Sequence, residues 1–253
     1  MTHTITIIGL GNYDIDDLPL GIYRFIQKQD KIYARTLEHP VIESLKDEID
    51  FESFDDIYEA NEQFDAVYDN IVEQLINKAQ QSNIVYAVPG HPRVVETTTA
   101  KLMAYHAQND DIEVKVLGGK SFIDDVFEAV AVEPNDGFTL LDGTALEESK
   151  LNVRTNTLIT QVYSAMVAAD IKLTLMERYP DDHMVKIVTG ARSGDAQVTE
   201  CPLFELDHFD TTFNNLTSVF VPKIVADESL YNDFNFAEQT IDLLVDDEKG
   251  CPW

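Results

Sequence analysis

Three turns that contain glycine, each directly after a short apolar run, constrain the fold of this chain more than any other feature. The runs are Thr4–Ile8, Ile84–Val88 and Glu113–Leu117, and the turns after them are Gly9-Leu10-Gly11, Pro89-Gly90-His91-Pro92 and Gly118-Gly119. Such runs predict strands, and each turn leads toward a stretch with the signals of a helix. Successive strand–turn–helix units build an open, mostly parallel sheet, in which ligands bind at the carboxyl ends of the strands. The first half of the chain is therefore predicted to be an α/β unit with its glycine turns at one edge of a sheet.

Further elements of this unit follow from local patterns. Lys31–Ala34 predicts another strand, and Asp16-Asp17 ahead of Leu18-Pro19 predicts the start of a helix. The most regular helical pattern places six apolar or aromatic residues on one face: Phe64, Val67, Tyr68, Ile71, Leu75 and Ile76.

After Gly119 the pattern changes to shorter elements of mixed type. Helices are predicted to begin at Ser121 and to span Ser164–Tyr179, and strands are predicted at Phe138–Leu141, Asn156–Gln161, Val185–Thr189 and Gln197–Glu200. The last two strands flank the turn Arg192–Asp195, which predicts an antiparallel hairpin. The second half is therefore predicted to be an α+β unit.

The chain is strongly acidic, and this excludes some classes of function. Its formal net charge is −28 over 253 residues. Such a surface repels phosphate backbones and anionic lipids, so we expect no binding to nucleic acid or to membranes. The N-terminus has no basic leader and no apolar stretch reaches about 18 residues, so we expect a cytoplasmic protein. Two cysteines, Cys201 and Cys251, and six scattered histidines give no metal-ligand spacing, so no metal is expected.

Each glycine turn leaves alternatives open when taken singly. Gly9-Leu10-Gly11 carries Asp14 where a dinucleotide fingerprint has its third glycine, so this turn alone favours a tight strand-to-helix turn over a dinucleotide site. The turn around Gly90 and His91 suits a ligand held by main-chain groups, while His91 alone is typical of an ordinary polar turn. Ser121 after Gly119-Lys120 is compatible with a helix N-cap, and Val114 stands where a P-loop needs glycine, which excludes an ATPase of that type.

The order and spacing of these turns resemble the tetrapyrrole (corrin/porphyrin) methylase family over about residues 3–225. The family pattern has a G-x-G-x-G-D loop, a G-D-P loop, a G-x-S/T turn, a T-L-x-x-x-M strand end and a G-T turn. This chain matches them in order with Gly9–Asp14, Gly90–Pro92, Gly119–Phe122, Thr157–Val162 and Thr189–Ala191.

The resemblance implies a two-domain fold with S-adenosylmethionine in a cleft between a mostly parallel N-terminal sheet and an α+β C-terminal domain. It implies an N-terminal Rossmann-like domain over residues 1–117 and a second domain over 118–225, and a homodimer. The cofactor-binding residues that it implies are Gly9, Gly11, Pro89, Gly90, His91, Val94, Ser121, Phe122, Val162, Gly190 and Ala191, and Asp14 is the candidate for contact with a small-molecule methyl acceptor such as a tetrapyrrole.

Three positions depart from the family pattern. Tyr13 replaces the third glycine of the first loop, His91 replaces the aspartate of G-D-P, and Val162 replaces the methionine. Backbone contacts to a cofactor do not depend on these side chains, whereas the positioning of a tetrapyrrole does.

The last residues carry a second resemblance. Gly250-Cys251-Pro252-Trp253 is similar to the start of a MazG-type nucleotide pyrophosphohydrolase domain, and Arg35-Thr36 with His39-Pro40 resembles the methylases fused to such domains. We therefore expect residues 226–253 to form a helix and linker toward a MazG domain. The acidic magnesium-binding helices of that domain would follow residue 253, so no nucleotide hydrolysis is expected from this chain.

These observations lead to one hypothesis and two alternatives. The first is an S-adenosylmethionine-dependent methyltransferase domain of a bifunctional methylase/MazG protein. The second is a non-catalytic ligand-sensing or dimerising domain that regulates the attached hydrolase. The third is a nucleotide-binding α/β protein without methyl chemistry.

Overall fold

A parallel five-stranded sheet organises the first half of the protein. The computed structural model describes residues 2–60, 64–190 and 196–225. The strands are β1 (His3–Gly9), β2 (Lys31–Ala34), β3 (Asp50–Ser53), β4 (Ile84–Val88) and β5 (Ile112–Leu117), in the order β3-β2-β4-β1-β5. All neighbouring pairs are parallel, so their carboxyl ends, and the glycine turns after β1, β4 and β5, lie at one edge. The predicted α/β class is confirmed.

Five helices cover the two faces of this sheet. They are α1 (Leu20–Ile26), α2 (Pro40–Leu45), α3 (Asp55–Ala60), α4 (Phe64–Ala79) and α5 (Thr97–His106). On α4 the predicted apolar face is buried through Val67, Ile71 and Leu75. The opposite face of the sheet packs on α1 and α2. The strand β4, at the centre, is buried along its whole length, as its run of five apolar or aromatic residues predicts.

The predicted helix start after Asp16-Asp17 is confirmed to within one or two residues. Residues Ile15–Asp17 form a single 3₁₀ turn capped by Asp14, and α1 begins at Leu20 with Pro19 at its N-cap position and no side-chain cap. Asp16 and Asp17 do not cap the helix, because they lie within the short turn that precedes it.

A mixed sheet forms the second half. Its elements are α6 (Phe122–Val130), β6 (Phe138–Asp142), β7 (Asn156–Thr160), α7 (Ala165–Met176), β8 (Met184–Thr189), β9 (Gln197–Pro202) and β10 (Ser218–Val221), with strand order β6-β7-β10-β8-β9. The predicted hairpin is confirmed, since Thr189 pairs with Gln197 and the register continues to Pro202. Its turn, Arg192–Asp195, lies outside the described residues. The sequence analysis missed β10, a fully buried four-residue strand at the centre of the sheet.

The three glycine turns pack backbone against backbone. A Cβ atom on Gly9 would lie 2.4 Å from the carbonyl oxygen of Gly90 and 2.7 Å from Cδ of Pro92. A Cβ on Gly119 would lie 2.8 Å from Cα of Gly9 and 2.9 Å from the same Gly90 oxygen. Such distances leave no room for any side chain, so glycine is needed at both positions because the chains approach so closely.

Replacing Gly9 by alanine will therefore destabilise the protein, whereas Gly21→Ala will not. Gly21 lies on α1 and has nothing within 4 Å of its Cβ position. We expect Gly9→Ala to lower the free energy of unfolding by about 1–3 kcal/mol or more through overpacking. Gly21→Ala should be neutral or raise it by up to about 1 kcal/mol. Urea denaturation of both variants measures this, and equal effects would contradict the packing described.

Candidate functional site

A cleft of about 340 Å³ lies at the carboxyl edge of the parallel sheet. The first half lines it with the loops after β1, β2 and β4. The second half contributes the first residue of α6, the end of β7 and residues 215–218, which lead into β10. Open parallel sheets bind ligands at this edge, so the position of the cleft makes it the candidate site.

The floor of the cleft is a pair of crossed glycine loops. The N–H of Gly90 donates to the carbonyl of Gly11 at 2.7 Å, and the N–H of Gly11 donates back to the Gly90 carbonyl at 3.2 Å. Gly11 has φ 72° and Gly90 has φ 69°, and residues with a side chain rarely adopt such positive values. The loops are thus fixed before any ligand arrives, and at these two glycines only main chain lines the cleft.

The buried side chain of His39 stabilises the first loop. His39 Nε2 lies 3.0 Å from the Gly11 carbonyl oxygen, and its Nδ1 lies 3.3 Å from the N–H of Val41, at the start of α2. Since Nδ1 accepts a hydrogen bond, Nε2 carries the proton and donates to Gly11. Burial lowers the pKa of His39, and the hydrogen bond to Gly11 opposes this only in part. The neutral imidazole is the form that fits this arrangement.

An ion pair forms the wall next to His39. Arg35 Nη1 lies 2.9 Å from Oε2 of Glu96, whose side chain is only 2 % exposed. The other carboxylate oxygen, Oε1, accepts from the N–H of Thr98 at 3.1 Å and so caps α5. Glu96 therefore fixes the Arg35 guanidinium at the cleft and the start of a helix at the same time.

A second polar network joins the first loop to α6. Lys120 Nζ lies 2.7 Å from Oδ1 of Asp125 and 2.9 Å from Oδ2 of Asp17. The other oxygen of Asp125 accepts from Nδ2 of Asn12 at 3.1 Å. Burial lowers the pKa of Lys120, but its hydrogen bonds to Asp125 and Asp17 more than compensate, and the net pKa is raised.

Two non-glycine residues with left-handed backbone lie on the cleft walls. Val95, after the loop of β4, has φ 54°, and Gln161, after β7, has φ 61°. A β-branched residue in this region is strained by about 1–3 kcal/mol, and such outliers cluster at functional sites. They support the assignment of the cleft as the functional site.

The structure brings together six of the residues predicted to bind a cofactor. These line the cleft: Gly11, Pro89, Gly90, His91, Val94 and Phe122. Gly9 lies beneath them in the glycine packing.

The other predicted residues that the structure describes are not among those that line the cleft. Ser121 caps α6 in a capping box with Asp124, and Asp14 caps the 3₁₀ turn. Val162 is fully buried in the core of the second half, and Gly190 follows the end of β8. Ala191 lies outside the described residues.

Several lining residues were not predicted from the sequence. Glu38, Val95, Gln161 and residues 215–218 line the cleft without a glycine turn to mark them. The last stretch was missed together with β10. A positive φ at a valine or glutamine has no sequence signal, because neither residue prefers it.

A larger hollow of about 470 Å³ lies beside α7, lined by Gly143–Leu146 and residues of the helix. It contains none of the glycine loops and a single carboxylate, Asp170, among its lining residues. We therefore centre the site on the smaller cleft.

Two features are absent from the described part of the chain. No helix there is both long and apolar enough to cross a bilayer. The same residues contain no cluster of three histidine, cysteine or carboxylate side chains that could hold a metal ion.

Comparison with known proteins identifies the family. The profile of the family described as Tetrapyrrole (Corrin/Porphyrin) Methylases matches residues 4–207. The chain is 42 % identical over 254 residues to the uncharacterized protein YabN of Bacillus subtilis (strain 168), covering all of this chain and 51 % of the relative. The chain thus spans about half the length of this curated relative.

Solved structures share the fold at low sequence identity. Cobalt precorrin-4 methyltransferase, a cobalamin biosynthetic enzyme, aligns with TM-score 0.66 and 12 % identity over 87 % of this chain and 94 % of its own. Uroporphyrin-III-C-methyltransferase from Thermus thermophilus aligns with TM-score 0.65 and 17 % identity over 92 % of this chain and 96 % of its own. Diphthine synthase aligns with TM-score 0.66 and 16 % identity over 90 % of this chain and 93 % of its own.

The family profile covers most of the chain, and it shows that the chain belongs to the tetrapyrrole methylase family.

The lowered pKa of His39 predicts that part of the stability is lost in mild acid. An unfolded histidine binds a proton near pH 6.5, whereas the folded protein resists protonation until lower pH. The stability from the neutral imidazole is complete above 6.5 and declines as pH falls toward the folded pKa, by at most about 1.4 kcal/mol per pH unit.

The measurement is urea denaturation at several pH values from neutral to about 5. His39→Asn keeps a capping side chain but does not titrate, so its stability should change less with pH than that of the wild type. His208→Asn, at an exposed histidine, is the matched control and should keep the loss of stability in acid that His39 causes. Identical pH profiles for all three proteins would exclude this role for His39.

Proposed function

We propose that this chain is an S-adenosylmethionine-dependent methyltransferase domain. The observation that carries the proposal is the meeting of the glycine loops at one cleft, within the residues matched by the family profile. Methyl transfer needs alignment of a nucleophile with the methyl donor more than acid–base groups. A cleft walled by rigid main chain suits that requirement.

The residues present fit the cofactor. The volume of about 340 Å³ falls within the ~300–1,000 Å³ of small-molecule sites. Phe122, Val94 and Leu216 provide apolar surface for a heterocycle, while Asn12 and Arg35 provide polar atoms. When bound, S-adenosylmethionine supplies an electrophilic methyl group on its sulfonium.

The roles of the lining residues follow from their positions. The Pro89 carbonyl and the His91 N–H would hold the cofactor, since the crossed loops fix this backbone and Gly90 already uses its N–H and carbonyl on Gly11. Behind them, Gly9 allows the close approach of the loops. Ser121, Val162, Gly190 and Ala191 stay candidates for backbone contacts around the same ligand.

The acceptor is proposed to be a small molecule, and the family and the uroporphyrin-III-C-methyltransferase likeness favour a tetrapyrrole. Asp14 is the candidate for contact with it. We further propose that the chain forms a homodimer and that its domains divide near residue 117. A cytoplasmic location stays a prediction of the sequence.

We also propose that the domain belongs to a bifunctional methylase/MazG nucleoside triphosphate pyrophosphohydrolase protein. The length of the curated relative, about twice that of this chain, and the resemblance of Gly250–Trp253 to a MazG start support this. Those four residues lie outside the described part of the structure. The test is magnesium-dependent hydrolysis of nucleoside triphosphates by the whole protein. If this activity is retained when residues 1–225 are deleted, it belongs to the part of the protein that follows them.

Ligand sensing without catalysis is the second candidate. His91 lines the cleft where the family has an aspartate, and its Nδ1 accepts from the N–H of Arg93 at 3.1 Å. The neutral ring therefore turns an N–H, not a base, toward its surroundings.

Binding of S-adenosylhomocysteine tests the cofactor proposal. We expect the wild type to bind it in calorimetry, and Gly90→Ala to weaken binding about tenfold or more. Alanine at position 90 would need a strained backbone with positive φ, and its Cβ would lie 3.3 Å from Asn12 Oδ1 in the cleft. Gly137→Ala is the matched control, because Gly137 also has positive φ (87°) but does not line the cleft.

Absence of wild-type binding would refute the proposal, and equal loss in both variants would assign the effect to backbone strain alone. Transfer of a labelled methyl group to reduced uroporphyrin III then separates the two candidate functions. Transfer supports the enzyme, whereas tight binding without transfer to any tetrapyrrole supports the sensor.

A further inference from the structure

The side-chain amide of Asn12 lies between a buried carboxylate and the open cleft. Its Nδ2 is 3.1 Å from Oδ2 of Asp125. Its Oδ1 lies on the other side, 3.3 Å from the position that a Cβ on Gly90 would occupy. Asn12 and Gly90 both line the cleft, so the amide oxygen is presented next to the crossed glycine loops.

The orientation of this amide is dictated by its partner. The Asp125 side chain is 1 % exposed, and its Oδ1 is held by Lys120 Nζ at 2.7 Å. A carboxylate paired with lysine has no proton to donate, so only the NH₂ group of Asn12 can face it. The oxygen of Asn12 must then face the cleft.

The ion pair also fixes the relative position of α6 and the first loop. Lys120 holds both Asp125 on α6 and Asp17 beyond the first loop. Lys120 also packs close to the first loop, with its Cβ 3.7 Å from the position of a Cβ on Gly11. The buried pair therefore acts on both the first loop and Asn12.

We propose that Asn12 is a specificity-determining residue of the cleft, whose Oδ1 accepts a hydrogen bond from an N–H or O–H group of the adenosyl ligand. Asp125 and Lys120 are the positioning pair that keeps the oxygen, and not the NH₂ group, turned to that ligand. This inference rests on the proposed function and adds to it the polarity of one contact.

Exchanging the two side chains tests the inference directly. In Asp125→Asn the new amide must turn its oxygen to Lys120 and its NH₂ to Asn12. Asn12 would then reverse, presenting NH₂ to the cleft, where it meets a donor. In the double variant Asn12→Asp/Asp125→Asn, the carboxylate at position 12 accepts from the amide at 125 and again offers an oxygen to the cleft.

The probe is S-adenosylhomocysteine, with affinity measured by calorimetry and folding by thermal denaturation. We expect Asn12→Ala to bind about three- to tenfold more weakly, the range for one lost neutral hydrogen bond. Asp125→Asn should lose about tenfold or more, and the double variant should return to within about threefold of the wild type. The matched controls are Asn109→Ala and Asp182→Asn, at exposed residues outside the cleft, and both should bind as the wild type does.

The outcomes separate this inference from the proposed function. If the wild type does not bind S-adenosylhomocysteine, the proposed function fails and takes the inference with it. If the wild type binds and Asn12→Ala binds equally well, only the inference fails. If folded Asp125→Asn loses affinity and the double variant does not recover it, the pair acts on structure alone and the inference is wrong. Should Asp125→Asn not fold, Asn12→Ala, which leaves the Asp125–Lys120 pair in place, decides the question.

Discussion

The contact among the main chains at Gly9, Gly90 and Gly119 is the constraint on which the rest of the site depends. Three strand ends of one sheet come so close that a single added carbon at Gly9 or Gly119 would overlap backbone. The loops beyond them can then cross and hydrogen-bond, which leaves main-chain atoms as the floor of the cleft. A floor of this kind depends on the backbone at these glycines and not on the side chains of neighbouring residues such as Tyr13 and His91.

The polar side chains around the cleft hold loops in place more than they fill space. His39 joins Gly11 to the start of α2, Glu96 joins Arg35 to the start of α5, and Asp125 joins Asn12 to Lys120. In each case one buried group satisfies two partners on different elements. Leaving either partner unsatisfied would cost about 1–3 kcal/mol, so these links favour one arrangement of the loops.

Most helices and strands of both halves could be predicted from the sequence, and the exceptions are α2, β3 and α3 in the first half and β10 in the second. The parallel sheet follows from short apolar runs ended by glycine, and the face of α4 follows from its periodicity. The strand β10 escaped prediction because Ser218–Val221 is short and lacks the glycine turn that marks the ends of β1, β4 and β5. The glycine loops marked part of the site, whereas Val95, Gln161 and residues 215–218 reach the cleft only through tertiary structure. The buried position of Val162 likewise depends on packing that no local pattern specifies.

The strand β10 connects the cleft with the end of the second sheet. It begins at Ser218, which lines the cleft, and runs about 10 Å to Val221 through the middle of its sheet. Just beyond it, Lys223 and Ile224 are tied to Asn156 and Val153 at the far end of β7. Main-chain hydrogen bonds to β7 and β8 hold this central strand from both sides. One short, doubly paired strand therefore connects the cleft with the point where the chain leaves the second sheet.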